Sequence, residues 1–237
     1  LNWKGKYILS EKEMRKHWIK QRVEENTTLR KKFKNDPQGL KIAEKLLAYE
    51  TGRQFWKSNE ICMRHAEGIR SNTPVLAKLW YFWTNHFTIS DTQSLASFST
   101  GAYQREFIRA NMDKKFETMA IEATIAWPMM MHLDNKDNVG PKSISGKSEW
   151  RRKERKPATI NENHARELLE LHTVSPKAAY TQDDIIELAK IMTGWRPKWT
   201  KKKDHGHNVS FDTERHEPGK KTVFGKTYKR GKKSLEI

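Results

Sequence analysis

The stretch Thr159–Thr173, T-I-N-E-N-H-A-R-E-L-L-E-L-H-T, places three glutamates, one arginine and two histidines within fifteen residues. At about 100° per residue, Ala165, Leu168 and His172 fall within roughly 40° of Asn161, with Leu169 and Leu171 on the flanks. Glu162, Asn163, Arg166, Glu167 and Glu170 take the opposite side. The spacing predicts an amphipathic helix whose charged face is laced by the i,i+4 pairs Glu162–Arg166 and Arg166–Glu170, each worth roughly 0.2–0.5 kcal/mol when exposed. That lacing accounts for most of the charge. It leaves Asn161 and His172, polar residues on an apolar stripe, and buried polar groups require partners.

Working outward, Thr181 and Asp184 form a capping-box pattern opening a helix that stops near Gly194. Upstream, Thr73-Pro74 opens V-L-A-K-L-W-Y-F-W-T-N-H-F, apolar nearly all round and therefore expected to be a central, buried helix. His86 lies there on the line of Val75, Leu79 and Phe82, with Asn85 beside it. Residues 11–70 fit two or three helices broken at Asn35–Gly39. Residues 101–127 fit one broken or two consecutive helices with a junction at Asn111–Asp113, and a polar loop is expected over roughly 134–156. Beyond Trp199, Val209–Phe211 and Thr222–Tyr228 look like strands around the turn Glu217-Pro218-Gly219. The expected fold is mainly α, a bundle-like multi-helix domain with a short β-hairpin near the C-terminus. It is read as one domain: variable helices over 1–60, a helical core over 61–200, and the hairpin with the start of a further part over 201–237.

Bulk composition limits the function classes. The chain has 237 residues, 46 Lys+Arg against 29 Asp+Glu, and a formal net charge of +17. Such an excess suits polyanions, yet most lysines are scattered outside the runs Lys198–Lys203 and Lys220–Lys233. Nine tryptophans argue for a packed fold despite a hydrophobic content of 35%. The single cysteine, Cys62, rules out an intramolecular disulfide and is expected to be a buried thiol. No apolar run approaches the roughly 20 residues of a membrane helix. The chain opens on Leu1 and ends at K-K-S-L-E-I, so it is read as a piece of a longer protein whose leader cannot be judged.

Familiar site patterns are absent or imperfect. There is no H-E-x-x-H and no Glu-x-x-His, and Glu170-Leu-His172 is wrongly spaced for two ligands on one helical face. His205-Gly-His207 is at most an adventitious metal binder. Gly140-P-K-S-I-S-Gly146-Lys147-Ser148 imitates a phosphate-binding loop but has five residues between its glycines instead of four. Trp195-Arg196-Pro197-Lys198-Trp199 suits either base stacking or capping of the core.

These segments together resemble a bacterial family known as DUF1800. E-N-H-A-R-E-L-L-E-L-H-T, then Y-T-Q-D-D-I and a helix ending T-G-W, is similar to its hallmark run. L-W-Y-F-W-T-N-H-F, Y-Q-R-E-F-I-R, M-H-L-D-N-K-D-N-V-G-P-K-S and F-D-T-E-R-H-E-P-G-K-K-T-V-F-G also resemble family segments, in order, over about residues 60–230. Departures are Val174-Ser175 for the usual Leu-Gly, Glu217 for a frequent Asp, and Asn138 near the usual Ser. The resemblance implies a helical fold, export from the bacterial cytoplasm, and a sulfatase-like neighbour as a possible partner. It implies no settled activity, cofactor or metal. The family's polar motif positions fall on Asn85, His86, Arg105, Glu106, Asp134, Asn135, Asn161, Glu162, Arg166, Glu167, Glu170, His172 and His216.

The first functional expectation is an acid/base or metal-assisted hydrolase-like enzyme of the bacterial envelope. Its site would lie where the Pro74 helix, the loop at 134–145 and the 161–172 helix meet. His86 or His172 would serve as base or ligand, Glu162 or Glu167 as partner, and Arg166 as an anion clamp. The alternative is a non-catalytic helical scaffold or binding module whose polar motif is a buried structural network. Nucleic-acid binding ranks third, because the distinctive residues are not the basic ones.

Overall fold

The computed structural model describes residues 8–19, 26–50, 53–90, 99–152, 159–197 and 209–229. The protein is mainly α, with two small antiparallel strand pairs toward the C-terminus. Its contacts gather into two compact units, Leu1–Asp113 and Lys114–Ile237. The basic run Lys198–Lys203, which includes Trp199, lies outside the described residues. So do His205-Gly-His207 and the end of the second basic run, residues 230–233.

In the first unit, α1 (Glu11–Ile19), α2 (Asn26–Lys32), α3 (Pro37–Glu50), α4 (Arg53–Arg70), α5 (Pro74–His86) and α6 (Thr100–Tyr103) lead into a π turn at Gln104–Ile108 and a 3-10 turn at Arg109–Asn111. The break at 33–36 ends with Asp36 accepting the Gly39 N–H at 2.8 Å, which caps the start of α3. The core gathers Trp80, Phe87, Tyr103, Phe107 and Ile108, all under 5% exposed. Two hydrogen bonds orient its aromatics: Trp80 Nε1 donates to Gln104 O at 2.9 Å, and the Tyr103 hydroxyl to Phe87 O at 3.1 Å.

Two expectations fail in this unit. The helix α5 is not buried all round: Ala77, Trp80 and Thr84 face inward, while Val75 (70%), Leu79 (44%) and Phe82 (57%) are exposed. With aromatics on every side the helix has little amphipathic bias, and the indole N–H of Trp80, which needs a carbonyl, decides the inward face. Cys62 is exposed. On α4 the inward stripe runs Glu60, Met63, Arg64, Glu67, so helical spacing turns Cys62 outward although its own stretch reads as apolar.

In the second unit, α7 (Phe116–Ile125) and α8 (Trp127–His132) precede a 3-10 turn at Asn135–Asp137. The expected polar loop in fact holds α9 (Ile144–Arg152). Next comes α10 (Asn163–Glu167), which continues as a π turn at Leu168–Thr173; the Val174 N–H reaches back five residues to Leu169 O at 2.9 Å. α11 (Gln182–Met192) opens on the complete Thr181–Asp184 capping box. Ala165, Leu168, Leu169, Ile185, Leu188, Ala189 and Met192 interlock as the core between α10 and α11, with Val223 packed on them.

Strand pairing also departs from expectation. β1 (Trp195–Pro197) pairs with β2 (Val209–Phe211), and β3 (Lys221–Val223) with β4 (Lys226–Tyr228). Glu217-Pro218-Gly219 is not a hairpin turn. Its Glu217 N–H donates to Thr193 Oγ1 at 2.8 Å, and its carboxylate accepts the Lys142 N–H at 2.9 Å, so the segment is docked sideways. The tight turn is Phe224-Gly225. Trp195, 7% exposed and edge-on to Phe211, closes the core at this end, as the capping alternative expects.

Candidate functional site

The 161–173 segment is anchored by asparagines. Asn138 Nδ2 donates to Ala189 O at 2.9 Å and to Asn135 Oδ1 at 3.2 Å, and its Oδ1 accepts the Asn161 N–H at 3.1 Å. Asn135 Nδ2 in turn donates to Trp195 O at 2.9 Å and Met192 O at 3.2 Å. Asn161 Nδ2 donates to Asp134 O at 3.1 Å, and its Oδ1 accepts the Asn163 N–H at 3.1 Å. Asp134 itself sits in left-handed backbone with φ 56°, a conformation that short polar residues tolerate. Thus four asparagines tie the 133–138 turn, the start of α10 and the end of α11 together. Asn135 and Asn138 are each 1% exposed, and their amides satisfy main-chain groups that would otherwise be stranded.

The charged face behaves as the wheel predicts. Arg166 lies 3.3 Å from Glu162 and 3.1 Å from Glu170, and it also donates to Gln182 Oε1 at 2.8 Å. Glu167 is half-buried beside this face.

The buried side holds an unexpected residue. His164 is 1% exposed, and neither of its ring nitrogens has a hydrogen-bond partner. His172, 5% exposed, and His132 at the end of α8 lie close enough to oppose any charge on it. Burial, with those two neighbours, pushes the His164 imidazole down to about 3, so it is neutral at ordinary pH. His132 is also lowered, again chiefly by burial. Sequence reasoning flagged His172 and passed over His164, which lies about 60° from Asn161 on the same wheel. Among the described residues, no three His, Cys, Asp or Glu side chains are placed to hold one metal ion.

His216 stands in a third setting. Its Nδ1 lies 2.8 Å from Thr193 O, and its Nε2 is 3.0 Å from Lys221 Nζ; Lys221, buried to 3%, also donates to Glu217 O. This knot closes the Gly140–Gly146 loop. The N–H of Gly140 donates to Arg215 O, that of Lys142 to the Glu217 carboxylate, and that of Ser145 to Glu214 O. A phosphate would find these donors already engaged by the protein. A Cβ on Gly140 would come 2.5 Å from the Glu217 main chain. Gly140→Ala should therefore cost about 1–3 kcal/mol in urea unfolding, as overpacking against backbone does.

The remaining positions belong to the first unit. Arg105 pairs with Glu60 and donates to Leu9 O at 2.7 Å. Glu106 accepts the Glu11 N–H at 2.9 Å. Burial raises the carboxyl of Glu60, against the pull of Arg105, and raises that of Glu106. Asn85 is exposed. His86 is half-buried among aromatics, 4.7 Å from Phe87 and 5.5 Å from Trp83 between ring centroids. The structure thus brings Asp134, Asn135, Asn161 and the Glu162–Arg166–Glu170 face together in the second unit, with His216 against Thr193 at the C-terminal end of α11, beside the Met192 carbonyl that Asn135 holds. Asn85, His86, Arg105 and Glu106 lie in the other unit.

A family model described as "Protein of unknown function (DUF1800)" matches residues 9–236. The chain belongs to the DUF1800 family. In this DUF1800 chain the second unit holds an asparagine clasp, an ionic lattice around Arg166 and a buried histidine group. No curated protein and no solved structure matches the chain. No helix among the described residues is long and apolar enough to cross a membrane.

Proposed function

We propose that this chain is a non-catalytic helical binding module, and that its polar signature is the device that fixes helix packing in the second unit. The observation that carries the reading is the asparagine clasp: Asn135, Asn138 and Asn161 direct their amides at main-chain carbonyls and N–H groups of neighbouring segments. Arg166 supports it, held by Glu162 and Glu170 and so already neutralised. A buried network in which members satisfy one another specifies a single packing.

Acid/base chemistry is the second reading, favoured by one observation: His132, His164 and His172 are neighbours in the same unit. Complementation separates the two. Arg166→Gln, Glu167→Gln and His172→Gln alleles, carried in the full-length gene, are scored for rescue of a deletion strain alongside thermal melts of the purified proteins. A binding module expects rescue to track the folded fraction. Loss of rescue in a variant that melts like the parent would overturn it in favour of chemistry.

A further inference from the structure

Lys57, Glu60 and Arg64 recur at three- and four-residue spacing on α4 and so share one face of it. That face is one wall of a cleft of about 380 Å³ in the first unit, within the ~300–1,000 Å³ range of small-molecule sites. The hydroxyl-bearing side chains of Thr88, Ser90 and Thr100 line it as well. Glycine at position 101 lets α6 close on the wall, because a Cβ there would collide with the Glu60 carboxylate.

Arg64 is the informative residue. It is half-buried, and two of its five N–H groups are engaged, one donating to Thr84 Oγ1 at 3.1 Å and one to Gln104 Oε1 at 3.5 Å. Its guanidinium lies 4.9 Å from the centre of the Tyr81 ring. Among the described residues no carboxylate pairs with it: Tyr81 supports its charge, and burial works against that charge. A cation held part-way out of water without a counter-ion gains from an anion that enters beside it. Glu60, by contrast, is already answered. Its Oε2 pairs with Arg105, while its Oε1, in a side chain 6% exposed, has no hydrogen-bond donor.

These groups set the chemistry of a ligand. The planar fork of Arg64 suits a carboxylate, and Lys57 on the same wall adds attraction for an anion. The Glu60 charge opposes a second negative charge. Its donor-less oxygen and the hydroxyls of Thr88, Ser90 and Thr100 suit a ligand that carries O–H groups. We infer that the cleft binds a small hydroxylated monocarboxylate of the sugar-acid type, with its carboxylate on Arg64 and its hydroxyls along the rest of the lining. This inference rests on the binding-module reading and names its ligand class.

The test is isothermal titration of the whole chain with D-glucuronate, D-glucose, acetate and D-glucose 6-phosphate. Glucuronate should bind saturably, at least ~10-fold tighter than glucose, which lacks the anion, or acetate, which lacks the hydroxyls. The doubly charged phosphate should bind more weakly than glucuronate. Arg64→Gln should weaken glucuronate binding by about tenfold or more, and Lys57→Gln by about threefold. Lys226→Gln, the same loss of charge at an exposed position of the second unit, should bind like the parent. Lys57→Gln decides the location should Arg64→Gln fail to fold. Absence of saturable binding, glucose or acetate bound as tightly as glucuronate, or the phosphate bound more tightly would each overturn the proposal. So would undiminished binding in a folded Arg64→Gln or in Lys57→Gln, or equal weakening by Lys226→Gln. The titrations can fail while the rescue assay still favours a module, and that assay can fail while glucuronate binds, so the two readings fail separately.

Discussion

Replacing His164 by leucine is expected to raise stability at pH 7 and to remove much of the protein's sensitivity to acid. The imidazole is fully enclosed with both nitrogens unpartnered. An unsatisfied buried polar group costs roughly 1–3 kcal/mol, which an apolar side chain of similar size does not incur. The pH dependence follows from the two states. Unfolded, the ring takes a proton near 6.5; folded, it stays neutral down to about 3. As pH falls through that interval the unfolded chain binds a proton that the fold refuses, so stability declines. The gap corresponds to roughly 4–5 kcal/mol at its acid limit, and about 2–3 kcal/mol between pH 7 and 4.5. Urea unfolding at those two pH values should show His164→Leu more stable than the parent at both, with a smaller difference between them. A variant less stable at both would mean that the ring has a partner.

Asn138→Ala is expected to produce the largest loss at neutral pH among the polar positions. The side chain makes three hydrogen bonds, to Asn135, to Ala189 O and from the Asn161 N–H, at a site 1% exposed. Removing it strands groups on three segments at once, for an expected cost of about 2–4 kcal/mol. Because Asn161 belongs to the same clasp, the double variant Asn138→Ala/Asn161→Ala should fall short of the sum of the single variants by at least ~0.5 kcal/mol. Denaturation midpoints of the four proteins give this cycle directly. Strict additivity would mean that the asparagines act independently.

How much of this was legible depends on how far each feature reaches along the chain. The Thr181–Asp184 capping box lies within four residues and was readable outright. So was the Glu162–Arg166–Glu170 lattice, since helical spacing alone brings those groups together. The clasp was not, because Asn138 meets Ala189 across 51 positions and no local rule pairs them. The inward face of α5 was misjudged because an all-aromatic helix offers no polar side from which to argue. His164 lies about 60° from the centre of the apolar stripe, farther than His172, so helical spacing alone ranks it second although it is the more deeply buried. The docked Glu217-Pro218-Gly219 segment misled for the opposite reason. Its turn-forming residues are real, but their partners lie about 75 residues upstream at Lys142.

The π turn at Leu168–Thr173 also has a bearing on descent. A π turn is an α-helix carrying one residue too many, accommodated as a local bulge. Within this turn His172 is buried while Leu171 is 60% exposed. A relative lacking one residue in this turn would keep an unbroken helix, yet everything after the deletion would swing by about 100° around the axis. Single-residue gaps at this point in the family would therefore mark lineages in which the last turn presents a different side chain to the core. An insertion or deletion, more than any substitution, is the mutation by which this helix could change what it buries.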